Sequence, residues 1–390
     1  MDNVNIAMIG VGAISGIYLE NITSMFKEIE LIGVCDIVRE KAERAKAEYN
    51  IPKIYDTMHD AFNDPDVDII LNLTRPYEHL EVTKAALLAG KHVYSEKPLG
   101  ATFEEGVELA KLAEENGFML GGAPDTFMGA GIQTCRKIID DGVIGDPVGA
   151  ACFMICRGHE SWHPDPEFYY KFGGGPMMDM GPYYVTALIN LLGGISGVTG
   201  VARKTFPTRT ITSQPYYGTV VDVDVNTHVA GILEFDSGAV GTIFTTFDAY
   251  FKPQARFEVY GSKGTLIVPD PNSFGGPVSL FRPEHGEYME IPLLFDYSEN
   301  SRALGLADMA KALACSTDEE APMHGCRTNR ASRTFRASRA YRASYKQTLH
   351  VLEVLSSFDK SSESQSRYAM QTNYTRGEAM KNNPMHGILD

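Results

Sequence analysis

The stretch VNIAMIGVGAISG (residues 4–16) decides the fold. A strand-like apolar run, 4–9, leads into GVGAIS, and a helical pattern begins at Ile14. Gly10 permits a tight turn. Gly12 lets a pyrophosphate approach the backbone at a helix N-terminus, where free N–H groups and the helix dipole favour anions. Gly10, Gly12, Ala13 and Ile14 are therefore the expected phosphate contacts. Ser15 stands where a dinucleotide-binding fingerprint carries Gly or Ala, with Gly16 beside it. The next strand-like run, IELIGVCD (29–36), ends on Asp36, at the spacing of about 20 residues that places an acid on the adenosine ribose. Asp36 favours NAD, while Arg39 nearby leaves NADP open.

Moving outward, 38–50 is amphipathic and helical, and VDIILNLT (67–74) is a near-continuous apolar run, as for a strand buried on both faces. A helix over 78–89 closes at Gly90, a strand spans 91–97, a helix 103–116 and a strand 118–122. This alternation predicts a doubly wound parallel sheet over residues 1–123. The rhythm then changes. A helix over 129–141 precedes long β-rich runs, with hairpins expected over 228–250, 255–270 and 279–293. Residues 124–390 are expected to form an α/β domain on a mainly antiparallel sheet, for substrate binding and oligomerisation.

Within it, a basic insert occupies 327–346. Arginine recurs at every third position (327, 330, 333, 336, 339, 342) and, with Lys346 and no acid, makes the segment +7 in a chain of −15. A period of three does not match a helix of 3.6, so the arginines would wind around it and read as a solvated helix extension or mobile insert. Ser-, Asn- and Gln-rich residues from about 361 to 383 suggest a loosely ordered C-terminal arm.

The 390 residues suffice for two domains, and 44% apolar with 22% charged residues describes an ordinary globular protein. The net charge argues against nucleic acid as a partner. No apolar run approaches a membrane span, and the N-terminus lacks the basic region of a secretory signal, so a cytoplasmic location is expected. The six cysteines are scattered without a CxxC pair, and no metal site is expected.

Three strings carry chemistry. YSEKPLG (94–100) presents Lys97 at a strand end, because a residue before proline is pushed to extended conformations. HESWH (159–163) matches a zinc-protease string but is flanked by Gly158, Pro164 and Pro166, which oppose the helix that such a site needs. His159 and His163 instead suit a cleft wall. GGGPMMDMGPYY (173–184) puts Asp179 and Tyr183 four apart, on one helix face if a helix starts near Met180 and holds Pro182 in its first turn.

With GVGAIS, Asp36, LNLTRPYEH, AGKHVYSEKPLG and GGGPMMDMGPYY in order over most of residues 4–310, the chain resembles the Gfo/Idh/MocA oxidoreductases, the group of glucose–fructose oxidoreductase and inositol dehydrogenases. The resemblance implies a Rossmann domain followed by an α/β domain whose open sheet serves a homo-oligomer, dimer or tetramer. It implies an NAD(P)-dependent dehydrogenase or reductase acting on CH–OH groups of a sugar, inositol or sugar derivative. By matching positions, Thr74, Pro76, His79, Glu96 and Lys97 contact the cofactor. Lys97, Asp179 and Tyr183 form the catalytic set, with Tyr183 where many relatives carry His. Tyr183 is then the expected proton acceptor, its phenol acidified by Lys97, while Asp179 grips a second substrate hydroxyl. His163, Tyr169 and Lys171 are the expected substrate wall. Two other functions fit the same residues: tightly held NAD oxidising a sugar carbon transiently, and a non-catalytic NAD(P)-binding sensor.

Overall fold

The computed structural model describes residues 3–250, 256–315, 340–381 and 389. Its first sheet has six parallel strands: β1 (Val4–Ile9), β2 (Ile29–Cys35), β3 (Lys53–Ile54), β4 (Ile69–Asn72), β5 (His92–Ser95) and β6 (Leu120–Gly122). Their order is β3-β2-β1-β4-β5-β6, so the winding reverses between β1 and β4. The connections carry α1 (Ser15–Ser24), α2 (Arg39–Tyr49), α3 (Met58–Asn63), α4 (His79–Leu88) and α5 (Phe103–Asn116). Ile6 and Met8 of β1 enter one apolar core, while Ala7 and Ile9 enter another. Burial on both faces is why these strands are continuously apolar. The crevice at the carboxyl ends of β1 and β4 is where such sheets bind ligands.

α6 (Ala130–Asp140) leads into a nine-stranded sheet made of β7 (Pro147–Ile155), β8 (Ile195–Arg203), β11 (His228–Phe235), β12 (Val240–Thr246), β13 (Arg256–Gly261), β14 (Thr265–Ile267), β15 (Val278–Phe281), β16 (Tyr288–Ile291) and β17 (Tyr368–Ala369). The three expected hairpins are β11–β12, β13–β14 and β15–β16, all antiparallel. β7 lies between β13 and β12, antiparallel to the first and parallel to the second. α7 (Pro176–Asp179) and α8 (Gly181–Leu192) follow the glycine run, and all twelve residues of α8 are buried. A separate ribbon pairs β9 (Thr208–Thr210) with β10 (Val220–Asp222). On one sheet face Val201, Ile232 and Val240 stand exposed, with Val201 opposite Ala230 and Val240 opposite Glu234. Among the described residues no helix is long and apolar enough to cross a membrane.

The chain does not divide cleanly at residue 123. α9 (Leu304–Ala314) packs near β6, and α10 (Tyr345–Ser364) lies across α5, α8 and β8. Between them, Ala343 O accepts from Gly122 N at 3.0 Å, and Ser344 bridges Gly121 in antiparallel fashion. The edge of the first sheet is thereby covered, as exposed edges generally are.

Two expectations for this region are corrected. Arg342 is not solvated: its backbone N and Nη1 donate to Asp308 at 2.7 and 2.6 Å, and both side chains are buried. Burial of a guanidinium needs such a carboxylate partner. Arg327, Arg330, Arg333, Arg336 and Arg339 lie outside the described residues. Nor is the C-terminal arm loose where described. Glu353 of α10 accepts from Gln371 N, Thr372 N and Thr372 Oγ1 at 2.5–2.8 Å, Tyr374 donates to Gln347 at 2.9 Å, and Met380 N donates to Gln133. Polar composition there serves anchoring rather than solvation.

Candidate active site

Gly10 has φ +95°, and a Cβ there would meet Leu73 O at 2.8 Å, so β1 and the turn after β4 come together only over glycine. A Cβ on Gly12 meets nothing within 4 Å. The loop is exposed at Gly12 and Ala13, with Ile14 at the N-cap of α1. Open space over a helix N-terminus fits a pyrophosphate. Asp36 closes the far end. Its Oδ2 accepts from Val11 N at 2.7 Å and its Oδ1 from Val38 N at 2.8 Å. Each oxygen keeps lone pairs for a ribose diol. The residues present therefore fit a dinucleotide.

The Thr74–His79 string lies at the end of β4. His79 is fully buried, its Nδ1 2.6 Å from Pro98 O and its Nε2 3.1 Å from Thr74 O. A neutral imidazole has one N–H, so His79 donates to one of these two carbonyls and ties the β4 and β5 turns together. Thr74 N and Oγ1 both donate to Asn72 Oδ1. Pro76 opens a short helical turn beside Gly173. Glu96 is buried, accepting from Tyr18 OH at 2.7 Å and from Lys97 N at 2.9 Å. It holds the strand end that carries Lys97.

Lys97 Nζ donates to Asp179 O at 2.7 Å and to Asp179 Oδ1 at 2.8 Å. The glycine run makes this approach possible. Gly175 has φ +92°, and a Cβ on Gly174 would strike Tyr169 O at 2.5 Å. Asp179 ends α7 and Tyr183 belongs to α8, so the two are not on one continuous helix, yet both face Lys97. The ammonium lies 5.3 Å from the Tyr183 ring centroid. Burial pulls the Lys97 ammonium down, but Asp179, Tyr183 and Glu96 together hold it above the ordinary lysine value. Burial pushes the Asp179 carboxyl up, but Lys97 and His159 hold it well below the usual carboxylate range.

The expected acidified phenol is not found. Burial raises the Tyr183 hydroxyl above the ordinary tyrosine value, and the opposing pull of Lys97 is weaker. A guanidinium the sequence did not reveal, Arg302, also lies near Tyr183 and pulls its hydroxyl down against burial. Asn300 and Asn272 brace Arg302 through Nη1 and Nη2 at 2.5 and 2.7 Å. No spacing signal could have found it, because it reaches Tyr183 only through the fold.

Of the expected wall, Tyr169 is present, its ring 4.0 Å from that of His159. His163 packs edge-on against Phe168 and Tyr169 at 5.5 and 5.3 Å, one layer further out. Lys171 is not brought here. Its ammonium lies 3.0 Å from Asp224 and 4.0 Å from Glu167, at the surface. The imidazole that meets Asp179 is that of His159, with Nε2 3.3 Å from Asp179 Oδ2. His159 sits on an isolated turn, not a zinc-binding helix. Glu160 O accepts from Thr212 N and Ser213 N at 2.8 Å, and Arg209 lies 3.1 Å from the Glu160 carboxylate, so the β9–β10 ribbon braces this turn.

Comparisons with known proteins agree with this architecture. Residues 4–122 match the family described as an oxidoreductase family with an NAD-binding Rossmann fold, and residues 132–267 match the GFO/IDH/MocA C-terminal domain. Among curated relatives, the myo-inositol 2-dehydrogenase of Thermotoga maritima is 24% identical over 68% of this chain and 75% of its own. The D-xylose dehydrogenase of Paenarthrobacter nicotinovorans is 28% identical over 65% of this chain and 66% of its own. Among solved structures, an NAD-binding oxidoreductase from Klebsiella pneumoniae superposes with a TM-score of 0.77 at 22% identity, covering 95% of this chain and all of that one. With both halves of the family matched in order on the two sheets described above, the chain belongs to the Gfo/Idh/MocA family of NAD-binding oxidoreductases.

Proposed function

We propose that this protein is a dehydrogenase or reductase that moves a hydride between NAD and a CH–OH carbon of a sugar, inositol or related polyol. The observation that carries this reading is the ammonium of Lys97, pinned by Asp179 at the carboxyl end of β5, beside the crevice that suits a dinucleotide. When bound, the nicotinamide supplies hydride transfer. Lys97 hydrogen-bonds the reacting oxygen and stabilises the negative charge that grows on it during oxidation. Asp179 orients that ammonium. Tyr169, His163 and the half-exposed Trp162 offer ring faces to the C–H face of a sugar. The names of the inositol and xylose dehydrogenases among the relatives support a polyhydroxylated substrate. The exposed face bearing Val201, Ile232 and Val240 suits a homo-oligomer contact.

The test is a panel of sugars, inositols and glycosides with NAD and with NADP, read by nicotinamide absorbance. Trp162 is the single tryptophan of the chain and stands 5.3 Å from the His159 ring, so a substrate that turns over should also change tryptophan fluorescence. Absorbance that never changes while product forms would move the reading to transient oxidation by retained cofactor. Absence of both turnover and dinucleotide binding would end it.

Cofactor choice follows from the end of β2. Beside Asp36, Ile37 is 99% exposed and offers no donor, and Arg39 is already paired with Asp56 and Glu43. A 2′-phosphate would therefore meet a carboxylate and an apolar side chain. Asp36→Ser is expected to shift the ratio of kcat/KM with NAD to that with NADP by about 10–100-fold toward NADP. An unchanged ratio in that variant would remove Asp36 from cofactor discrimination.

A further inference from the structure

Resting on the oxidoreductase reading above, we infer that the substrate is a two-ring glycoside, and that the mouth of the cleft holds a subsite for its second, non-reacting ring. Trp162 and Phe172 are each 61% exposed, although rings of this size are mostly buried. Single exposed apolar residues need no explanation, but these belong to a continuous rim. Trp162 stands edge-on to His163 at 5.3 Å, and His163 edge-on to Phe168 at 5.5 Å. The Arg75 guanidinium lies 6.0 Å from the Phe168 ring. Phe172 adjoins the same rim, because the next residue, Gly173, lies against Pro76, the neighbour of Arg75. The rim thus joins the loop after β7 to the loop after β4.

Its polar groups sit among those rings and are only partly used. Arg75 Nη2 donates to Asp165 Oδ2 and Arg75 Nη1 to Tyr77 OH, each at 2.9 Å. This ion pair is half-exposed, and Asp165 keeps its second carboxylate oxygen as an acceptor. Asp165 N donates to His163 Nδ1 at 3.0 Å, which leaves the proton of the neutral imidazole on Nε2. Burial holds His163 below the ordinary histidine value, so the ring is neutral at pH 7. Aromatic faces beside a guanidinium, a carboxylate oxygen and an imidazole N–H match a sugar ring. Its C–H face is apolar, and its hydroxyls both donate and accept.

The rim lies one layer beyond the reacting carbon. His159 stands between Trp162 and Asp179, with its ring 5.3 Å from the indole and its Nε2 3.3 Å from Asp179 Oδ2. A single ring held at Lys97 leaves the outer face of Trp162 in water, and a second ring linked to the first covers it. Other occupants fit less well. The net charge of −15 opposes a polyanion. A protein seated on the rim would close the route by which substrate reaches Lys97.

The experiment compares kcat/KM with NAD for paired substrates: D-glucose with cellobiose and with maltose, D-xylose with xylobiose, and myo-inositol with galactinol. In at least one pair the two-ring compound should exceed the free ring by about 10–100-fold, because binding a remote ring raises kcat/KM. Trp162→Ala, Phe172→Ala and Arg75→Gln should each lower that ratio by about 10-fold, with NAD affinity, measured by calorimetry, changed far less. Oxidation of free rings with no gain from the second ring in any pair, or a gain that survives all three variants, overturns the subsite and leaves the oxidoreductase reading intact. Turnover of no two-ring compound overturns it as well, and only a wild type that also fails to bind NAD would end the oxidoreductase reading. A change of oligomeric state in Trp162→Ala or Phe172→Ala, read by sedimentation, would assign the rim to a contact between copies instead.

Discussion

Lys97→Met is expected to lower kcat/KM by about a thousandfold or more on every substrate the protein accepts, with NAD affinity changed far less. The lysine ammonium lies 2.8 Å from Asp179 Oδ1 at the end of β5, and removing a preorganised donor of this kind costs about two to three orders of magnitude in rate. The change also strands the Asp179 carboxylate, whose side chain is only 15% exposed, so a fall in thermal midpoint should accompany the kinetic loss. Folded-state turnover must therefore be measured below that midpoint. A Lys97→Met enzyme retaining a tenth of wild-type kcat/KM would refute the role.

The pH behaviour of the pair has a definite sign. Asp179 is held low, so the stability it contributes is present above the ordinary aspartate value of about 3.9 and is lost as pH falls below it. Lys97 is held high, so its contribution is present below the ordinary lysine value of about 10.4 and is lost only as pH rises beyond it. Across the neutral range neither group changes charge.

Asp308→Ala is expected to cost about 3–5 kcal/mol of unfolding free energy, because it removes a buried carboxylate that the Arg342 guanidinium contacts at 2.6 Å. The Asp308 and Arg342 side chains are 1% and 6% exposed, so water cannot replace the lost partner cheaply. The effect should spread beyond α9. Arg342 Nε and Nη2 also donate to Glu378 O and Ala379 O at 3.2 Å, and the adjoining Ala343 and Ser344 cover the edge strand β6. Urea unfolding measures the loss, and the double variant Asp308→Leu/Arg342→Met should recover a good part of it, since a buried pair replaced by apolar groups is often neutral. A loss below about 1 kcal/mol for Asp308→Ala would show that the pair is not buried in solution.

Much of this molecule is legible along the chain because the relevant physics is local. The glycine turn at Gly10, the acid at Asp36, the doubly buried strands β1 and β4 and the three hairpins each occupy one short segment with its own period or turn residue. β3 and α3 were not expected: two residues carry no periodicity, and α3 is a six-residue helix held by a capping box at Thr57 and Asp60. The arginine period of three misled at Arg342, where a partner from α9 decides burial. The polar arm misled because its donors close onto Glu353 and Gln133, which sit far away in sequence.

By itself, the sequence determined the alternation of the main strands and helices and the glycine turn with Asp36 at the crevice, since each rests on local backbone preference or on a motif whose parts share one segment, while the pairing of Lys97 with Asp179 joins segments 82 residues apart. Tertiary structure alone decided that burial raises the Tyr183 phenol, that His79 is buried between two backbone carbonyls, that Lys171 pairs with Asp224 and that His159 meets Asp179. The reason is that protonation and contact depend on burial and on charges brought from distant segments, and desolvation is set by what packs around a group rather than by its neighbours in the chain.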